Sequence, residues 1–181
     1  QLEKQYLSYL PLEAFCNPLE TLIQLRHLLG LRSPVNTLSR MLNPLRATAS
    51  LQSIFHPAYA RLHLEADRLL GQSRTIVFKG DSGEVEIKPH ADTTVHRLSA
   101  GEMDQFLLPR MLRDRATSVE APDVEPLRAL WQGKSNDPYG LNASLATTAS
   151  ALMVIRPELD LQSAQKQAAR LWKNRDLARL T

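Results

Sequence analysis

Cysteine is nearly absent from the 181-residue chain: Cys16 stands alone, so no internal disulfide can staple the fold, and a single thiol fits a reducing compartment. Aromatic residues make up only 6%, which advertises no platform for stacked bases. No apolar run approaches the roughly 18 residues that a membrane span needs, and no secretory leader is visible. These absences point to a cytoplasmic protein without a membrane partner. Zinc-ligand spacing, a Walker loop and a dinucleotide glycine motif are missing too. What is present in ordinary amount is core-forming material: 43% apolar residues, enough for one globular domain with a real interior.

A further absence is local. From Thr21 to Leu64 there is no Asp or Glu, while the same window holds Arg26, Arg32, Arg40, Arg46 and Arg61 with His27, His56 and His63. The whole chain is only mildly basic, with 22 Lys+Arg against 19 Asp+Glu, so the clustering says more than the total. Gathered on one face, these side chains would make a field that attracts phosphates, and the planar guanidinium suits bidentate phosphate contact. The plainer reading is that they face different ways and pair with acids such as Glu20, Glu65 and Asp67. A second cluster, Arg170, Lys173, Arg175 and Arg179, falls at the end of the last helix, where the helix dipole alone accounts for cations.

Periodicity places helices at residues 18–30, from Pro34 to about Leu42, after His56-Pro57 through Leu70, at 123–132, at 142–155 and at 161–175. Strands are expected at 50–55, at 74–79, at 84–87 and at 93–98. Residues 102–121 read as irregular. Helices alternating with strands define an α/β class with a mixed or parallel central sheet flanked by helices. His90 and Asp92, two apart on a loop, read as a hydrogen-bonded turn rather than a metal or catalytic pair. His56 reads as a helix-start residue. Trp131 and Trp172 lie on apolar helix faces and read as core or dimer packing. Cys16 has no paired His or Asp spacing that would make it a nucleophile. Val119 to Asp123 reads as a loop near a cleft.

Several ordered blocks resemble one family. RHLLGLRSPVNTLSRMLNP (26–44), His56-Pro57 with the helix to Gly71, RTIVFKGDSGEVEIKPHADTTVHRL (74–98), Pro109 and the Asn142-Ala143 helix are similar, at matching spacings, to anthranilate phosphoribosyltransferases. The resemblance runs from about Pro18 to Trp172. It implies the large α/β domain of the nucleoside phosphorylase and phosphoribosyltransferase type. Residues 1–181 would be that C-terminal domain, with the helical domain and the Gly-rich pyrophosphate loop expected upstream of Gln1. The family transfers a phosphoribosyl group from phosphoribosyl pyrophosphate to anthranilate, with magnesium, as a homodimer.

Position by position, the resemblance puts Arg26 on the family arginine at the aromatic acceptor and Cys16 where a histidine is usual. Ser39-Arg40 replaces Gly-Pro. Val85-Glu86 replaces the Asp-Glu metal pair, so Glu86 is the one surviving carboxylate, with Glu84 and Asp81 close in sequence. Valine offers no oxygen and no charge to magnesium, which favours hard oxygen ligands. These departures resemble the DNA-binding TrpD-like offshoot of the family. That resemblance implies no catalytic residues, no cofactor, a homodimer, a link to DNA damage, and sequence-independent DNA or RNA binding through a basic groove. The phosphates would meet Arg32, Arg40, Arg46, Lys79 and Lys88, with Arg26 and Arg61 as further contacts. The alternative is a retained magnesium-dependent phosphoribosyl or glycosyl transferase with an aromatic or heterocyclic acceptor.

Overall fold

The structure is a computed structural model that describes residues 6–30, 34–80, 84–114 and 123–179, with Arg26 and Leu29 described for backbone alone. It divides into two compact units, Gln1–Ala47 and Thr48–Thr181.

The first unit is helical: α1 (Leu12–Phe15), α2 (Asn17–Leu29) and α3 (Val35–Arg40). The long helix forms where leucine spacing predicts it, and Gly30 ends it at a φ of 67°. Its apolar residues are not buried within the unit, however: Leu22 is 45% and Leu28 82% exposed. Asn43 shapes the exit from α3. Its side chain donates to the Ala47 carbonyl and accepts from the Ala47 amide, both at 2.8 Å. Inside that loop Arg46 is held at a φ of 50°, in the left-handed region that a residue with a Cβ adopts only at a cost.

The second unit carries a four-stranded sheet in the order β1 (Ala49–Ile54), β2 (Arg74–Lys79), β3 (Thr93–Ser99), β4 (Glu102–Leu108). β1 and β2 are parallel and joined through α4 (Tyr59–Leu69), as a parallel pair requires. β2 and β3, then β3 and β4, are antiparallel. α5 (Glu125–Trp131), α6 (Pro138–Ile155) and α7 (Leu161–Lys173) complete the unit.

Strand alternation sorts the side chains into two cores. Ile76, Phe78, Val95 and Leu108 pack with Ile87 and with Ala146 and Val154 of α6. Val77, Leu98 and Ile54 pack on the other face with Ala60 and Leu64 of α4. Burying each of these large side chains contributes about 1.5–3 kcal/mol. Small residues on α6 and α7 let the two helices approach closely, with Ala149 and Ala164 fully buried and Ala168 nearly so.

Two expectations are corrected. Residues 84–87 are not a strand. The Ile87 amide donates to Thr147 Oγ1 at 3.0 Å instead, so an α6 side chain serves where a strand partner was expected. Residues 102–108, expected irregular, are the edge strand β4. A two-residue turn at Ala100-Gly101, with φ of 50° and 84°, folds it back onto β3. Arg97 and Asp104 face each other in the register and form an ion pair, with Arg97 Nε 2.8 Å from Asp104 Oδ1. α6 also begins four residues earlier than its uncharged stretch indicates. Asp137 caps it by accepting the Tyr139 amide, and Pro138 occupies the first turn.

Candidate functional site

The carboxyl ends of parallel strands are where open α/β sheets bind ligands. Here that edge is formed by Ile54 and Lys79, the last residues of β1 and β2. With Pro57, Lys88, Ala91, Asp92, Thr93, Thr94 and His96 they line a cavity of about 290 Å³. The pairing explains the grouping. His96 lies opposite Val77 and Leu98 opposite Thr75, so Thr94 and His96 share the α4 face of the sheet with Lys79. Asp92 is fixed in the wall, because its Oδ1 accepts the Arg110 amide at 2.8 Å. Residues 89 and 90 form a turn, and Pro89 O accepts the amides of Met111 and Leu112 at 2.7 and 2.8 Å, tying it to the segment after β4. Burial holds the His96 imidazolium below the ordinary histidine range, which leaves the ring neutral at neutral pH.

The loop after β2 turns on Gly80. A Cβ there would overlap the Glu84 carbonyl oxygen and meet Ser53 Oγ at 2.9 Å, so only glycine lets the loop close on β1. Beyond it the chain crosses to the other face. Glu86 accepts a hydrogen bond from the Tyr139 hydroxyl at 2.8 Å, at the start of α6, and the His90 ring lies 5.9 Å from the Tyr139 ring. Val85 is exposed and brings no ligand atom. Among the described residues no group of three His, Cys, Asp or Glu side chains could hold a metal ion. Of the acidic pair that the resemblance implies, Glu86 is present beside Val85, and Asp81 lies outside the described residues.

The cations expected to bind phosphate divide between the two units. Arg40 ends α3, half-buried, and Arg46 is exposed in the Asn43 loop. Arg32 and the side chain of Arg26 lie outside the described residues, as do positions 119–122 of the expected loop and Asp81. Lys79 and Lys88 meet in one cavity. Arg61 is exposed on α4 and lies 3.8 Å from Glu65, the pairing that the plainer reading predicts. Cys16 is a half-buried free thiol at the end of α1.

His63 does not belong to a basic surface at all: it is 1% exposed, with Nδ1 2.7 Å from Gln52 Oε1. Gln52 Nε2 donates to Asp67 Oδ2 at 2.8 Å, and Thr75 donates to the same oxygen at 2.5 Å. The i, i+4 spacing of His63 and Asp67 on the apolar stripe of α4 is the signal that points to this buried network. His56 is the helix-start residue its sequence predicts, accepting the Ala58 amide on Nδ1 at 3.3 Å. Trp131 and Trp172 pack edge to face, 5.9 Å apart, with the Arg175 guanidinium 4.0 Å over Trp172.

A mixed four-stranded sheet with helices on both faces, and a lysine-bearing cavity at the ends of its parallel strands, make an α/β domain with its ligand-sized opening where such sheets bind ligands. The chain belongs to the glycosyl transferase family, a/b domain, whose family model matches residues 2–174. Among curated proteins it is 26% identical over 157 residues to anthranilate phosphoribosyltransferase of Histophilus somni (82% of this chain, 46% of that one). It is 31% identical over 121 residues to that of Desulfatibacillum aliphaticivorans (66% and 33%). The chain therefore spans less than half the length of these relatives. Among solved structures, anthranilate phosphoribosyltransferase from Saccharomyces cerevisiae in complex with 4-fluoroanthranilate matches with a TM-score of 0.73 at 19% identity (91% of this chain, 50% of that one). The enzyme from Thermus thermophilus matches at 0.63 and 21% (93% and 54%). No helix among the described residues is long and apolar enough to cross a membrane.

Proposed function

We propose that this chain is the α/β part of a phosphoribosyl-type glycosyl transferase acting on an aromatic or heterocyclic acceptor. The observation that carries the reading is the family match over residues 2–174, together with curated relatives that are named anthranilate phosphoribosyltransferases. Arg26 and Cys16 then stand at the acceptor site by resemblance. Glu86 is by resemblance the one carboxylate left of the metal pair, and no step is assigned to magnesium. The test is pyrophosphate release from phosphoribosyl pyrophosphate by the complete protein of which this is the α/β part, across a panel of aromatic amines and heterocycles, with and without magnesium. Acceptor-dependent release supports the reading; a folded complete protein that releases none with any acceptor refutes it.

A second reading is sequence-independent nucleic-acid binding by a homodimer. One observation favours it: the metal position holds Val85, and the surviving Glu86 is engaged by Tyr139, while lysines gather at the ends of the parallel strands. Phosphates would meet Arg26, Arg32, Arg40, Arg46, Arg61, Lys79 and Lys88. Affinity for random DNA should then fall steeply with salt and weaken about equally for all sequences in R40A/R46A. Binding indifferent to salt counts against it.

A further inference from the structure

We infer that the outer edge of β4 is a self-association surface, on which a second copy of this chain adds its own β4 antiparallel about a two-fold axis at Gln105. The two sheets then run on as one. The inference rests on neither functional reading, since this edge lies at the opposite side of the sheet from β1 and uses none of the site residues assigned above.

The turn at Ala100-Gly101 decides which backbone groups face outward. It is two residues long with both φ positive, so Ser99 and Glu102 close the hairpin as a hydrogen-bonded pair. Alternation along the ladder then points the N–H and C=O of Glu102, Asp104, Phe106 and Leu108 at β3, and those of Met103, Gln105 and Leu107 away from it. β4 ends the sheet, and among the described residues 102–108 make no backbone hydrogen bond outside it. The edge also lacks the usual guards. Its register on β3 runs without a bulge, and the strand carries no proline and no lysine. Leu107 stands 55% exposed along it.

The side chains select the occupant. Outward groups must meet outward groups, so few two-fold registers are open. An axis at Asp104 sets two carboxylates face to face, and an axis at Met103 sets Glu102 against Asp104 of the second copy; like charges directly opposite destabilise a sheet. An axis at Phe106 or Leu107 brings an outward residue against Pro109, which has no N–H to donate. An axis at Gln105 avoids both faults. Met103 pairs with Leu107 of the second copy, and all three outward residues of each strand are engaged, for six backbone hydrogen bonds from three pairs. Met103, Gln105 and Leu107 share the α4 face, so Leu107 gains an apolar neighbour and the Gln105 amides meet at the axis. On the α6 face Asp104 stands opposite Phe106 and Glu102 opposite Leu108, with no like charge directly across, and Asp104 already carries the Arg97 ion pair. The strand is thus complementary to itself.

The test is disulfide cross-linking in the complete protein of which this is the α/β part, with the unsubstituted protein as background. Gln105→Cys should form a covalent dimer, because a hydrogen-bonded antiparallel pair sets its Cα atoms about 5.5 Å apart, within disulfide reach. Met103→Cys alone and Leu107→Cys alone should not, since each lies roughly 14 Å from its own counterpart across the axis, but a mixture of the two should. Hydrogen exchange gives an independent readout. The Met103, Gln105 and Leu107 amides should gain protection as protein concentration rises. Gln105→Asp replaces an exposed side chain and brings two carboxylates together at the axis, so it should need about tenfold more protein for the same protection. No cross-link from Gln105→Cys, equal cross-linking by Met103→Cys alone, or protection that Gln105→Asp leaves unchanged overturns the inference. So does protection independent of concentration, which would put another segment of the same chain on this edge.

Discussion

Replacing Asp67 by Ala tests whether the larger unit is organised around its buried polar network. Asp67, Gln52 and Thr75 are no more than 2% exposed, and both donors, Gln52 Nε2 and Thr75 Oγ1, end on the same carboxylate oxygen. Removing the acceptor strands two buried donors at about 1–3 kcal/mol each. The summed loss of about 2–6 kcal/mol compares with a total stability of about 5–15 kcal/mol for a domain. Asp67→Asn keeps one carbonyl acceptor and should lose about half as much. Burial pushes the Asp67 carboxyl above the ordinary carboxylate range, against the lowering effect of its Thr75 and Gln52 hydrogen bonds. A carboxyl group whose pKa rises on folding favours the folded state when protonated. Stability of the native chain relative to Asp67→Asn should therefore increase as pH falls through the folded pKa, and level off below the unfolded value. Urea unfolding followed by tryptophan fluorescence reads this cleanly, because Trp131 and Trp172 both lie in the second unit. An Asp67→Ala chain within about 0.5 kcal/mol of the native one, the range of an ordinary surface change, would refute the argument.

Arg175 donates to the carbonyls of Trp131 at 2.7 Å, Trp172 at 2.8 Å and Leu130 at 3.2 Å, clasping the ends of α5 and α7. Arg175→Ala should cost about 2–4 kcal/mol and red-shift tryptophan emission, and Arg175→Lys, lacking the planar fork, should recover less than half; an unchanged spectrum would discount the clasp. Gly80→Ala should lower the melting temperature and loosen the loop after β2, because the added carbon meets backbone at Glu84; proton exchange in β1 and β2 would show the change.

The parts of the fold that are legible in the sequence are those where local chemistry and tertiary partners agree. β2 reads at its observed bounds because Thr75, Ile76, Val77 and Phe78 are strand formers between Arg74 and Gly80, and all four are buried in the sheet. Glu84 to Ile87 alternates like a strand, yet its hydrogen-bonding partners are Thr147 and Tyr139 on α6, which no local pattern reveals. β4 escapes a sequence reading because EMDQFLL lacks β-branched residues and its turn places an alanine at positive φ. Lysines 79 and 88 stand out in the sequence as exposed-type cations, but that they share a cavity with Thr94 and His96 follows only from the register of β3 on β2. The acid-free window is continuous in sequence and divided in structure, with a unit boundary after Ala47 and His63 turned into the core.

The metal question reduces to one side chain that can be put back. Magnesium is held by one or two carboxylates plus substrate phosphates, with water completing the octahedron, so a lone carboxylate that also accepts a phenolic hydrogen bond is a poor anchor. That is the situation of Glu86, with Tyr139 at 2.8 Å and Val85 beside it. Val85 is 45% exposed, so Val85→Asp restores the second carboxylate without burying a charge. The native chain should show no gain in pyrophosphate affinity when magnesium is added. Val85→Asp should show a gain of about tenfold, equivalent to about 1.4 kcal/mol, and adding Tyr139→Phe should enlarge it by freeing Glu86. If the native chain gains as much as Val85→Asp, other oxygens complete the site, Asp81 of the same loop being the first to examine. The inference drawn from valine at this position would then be wrong.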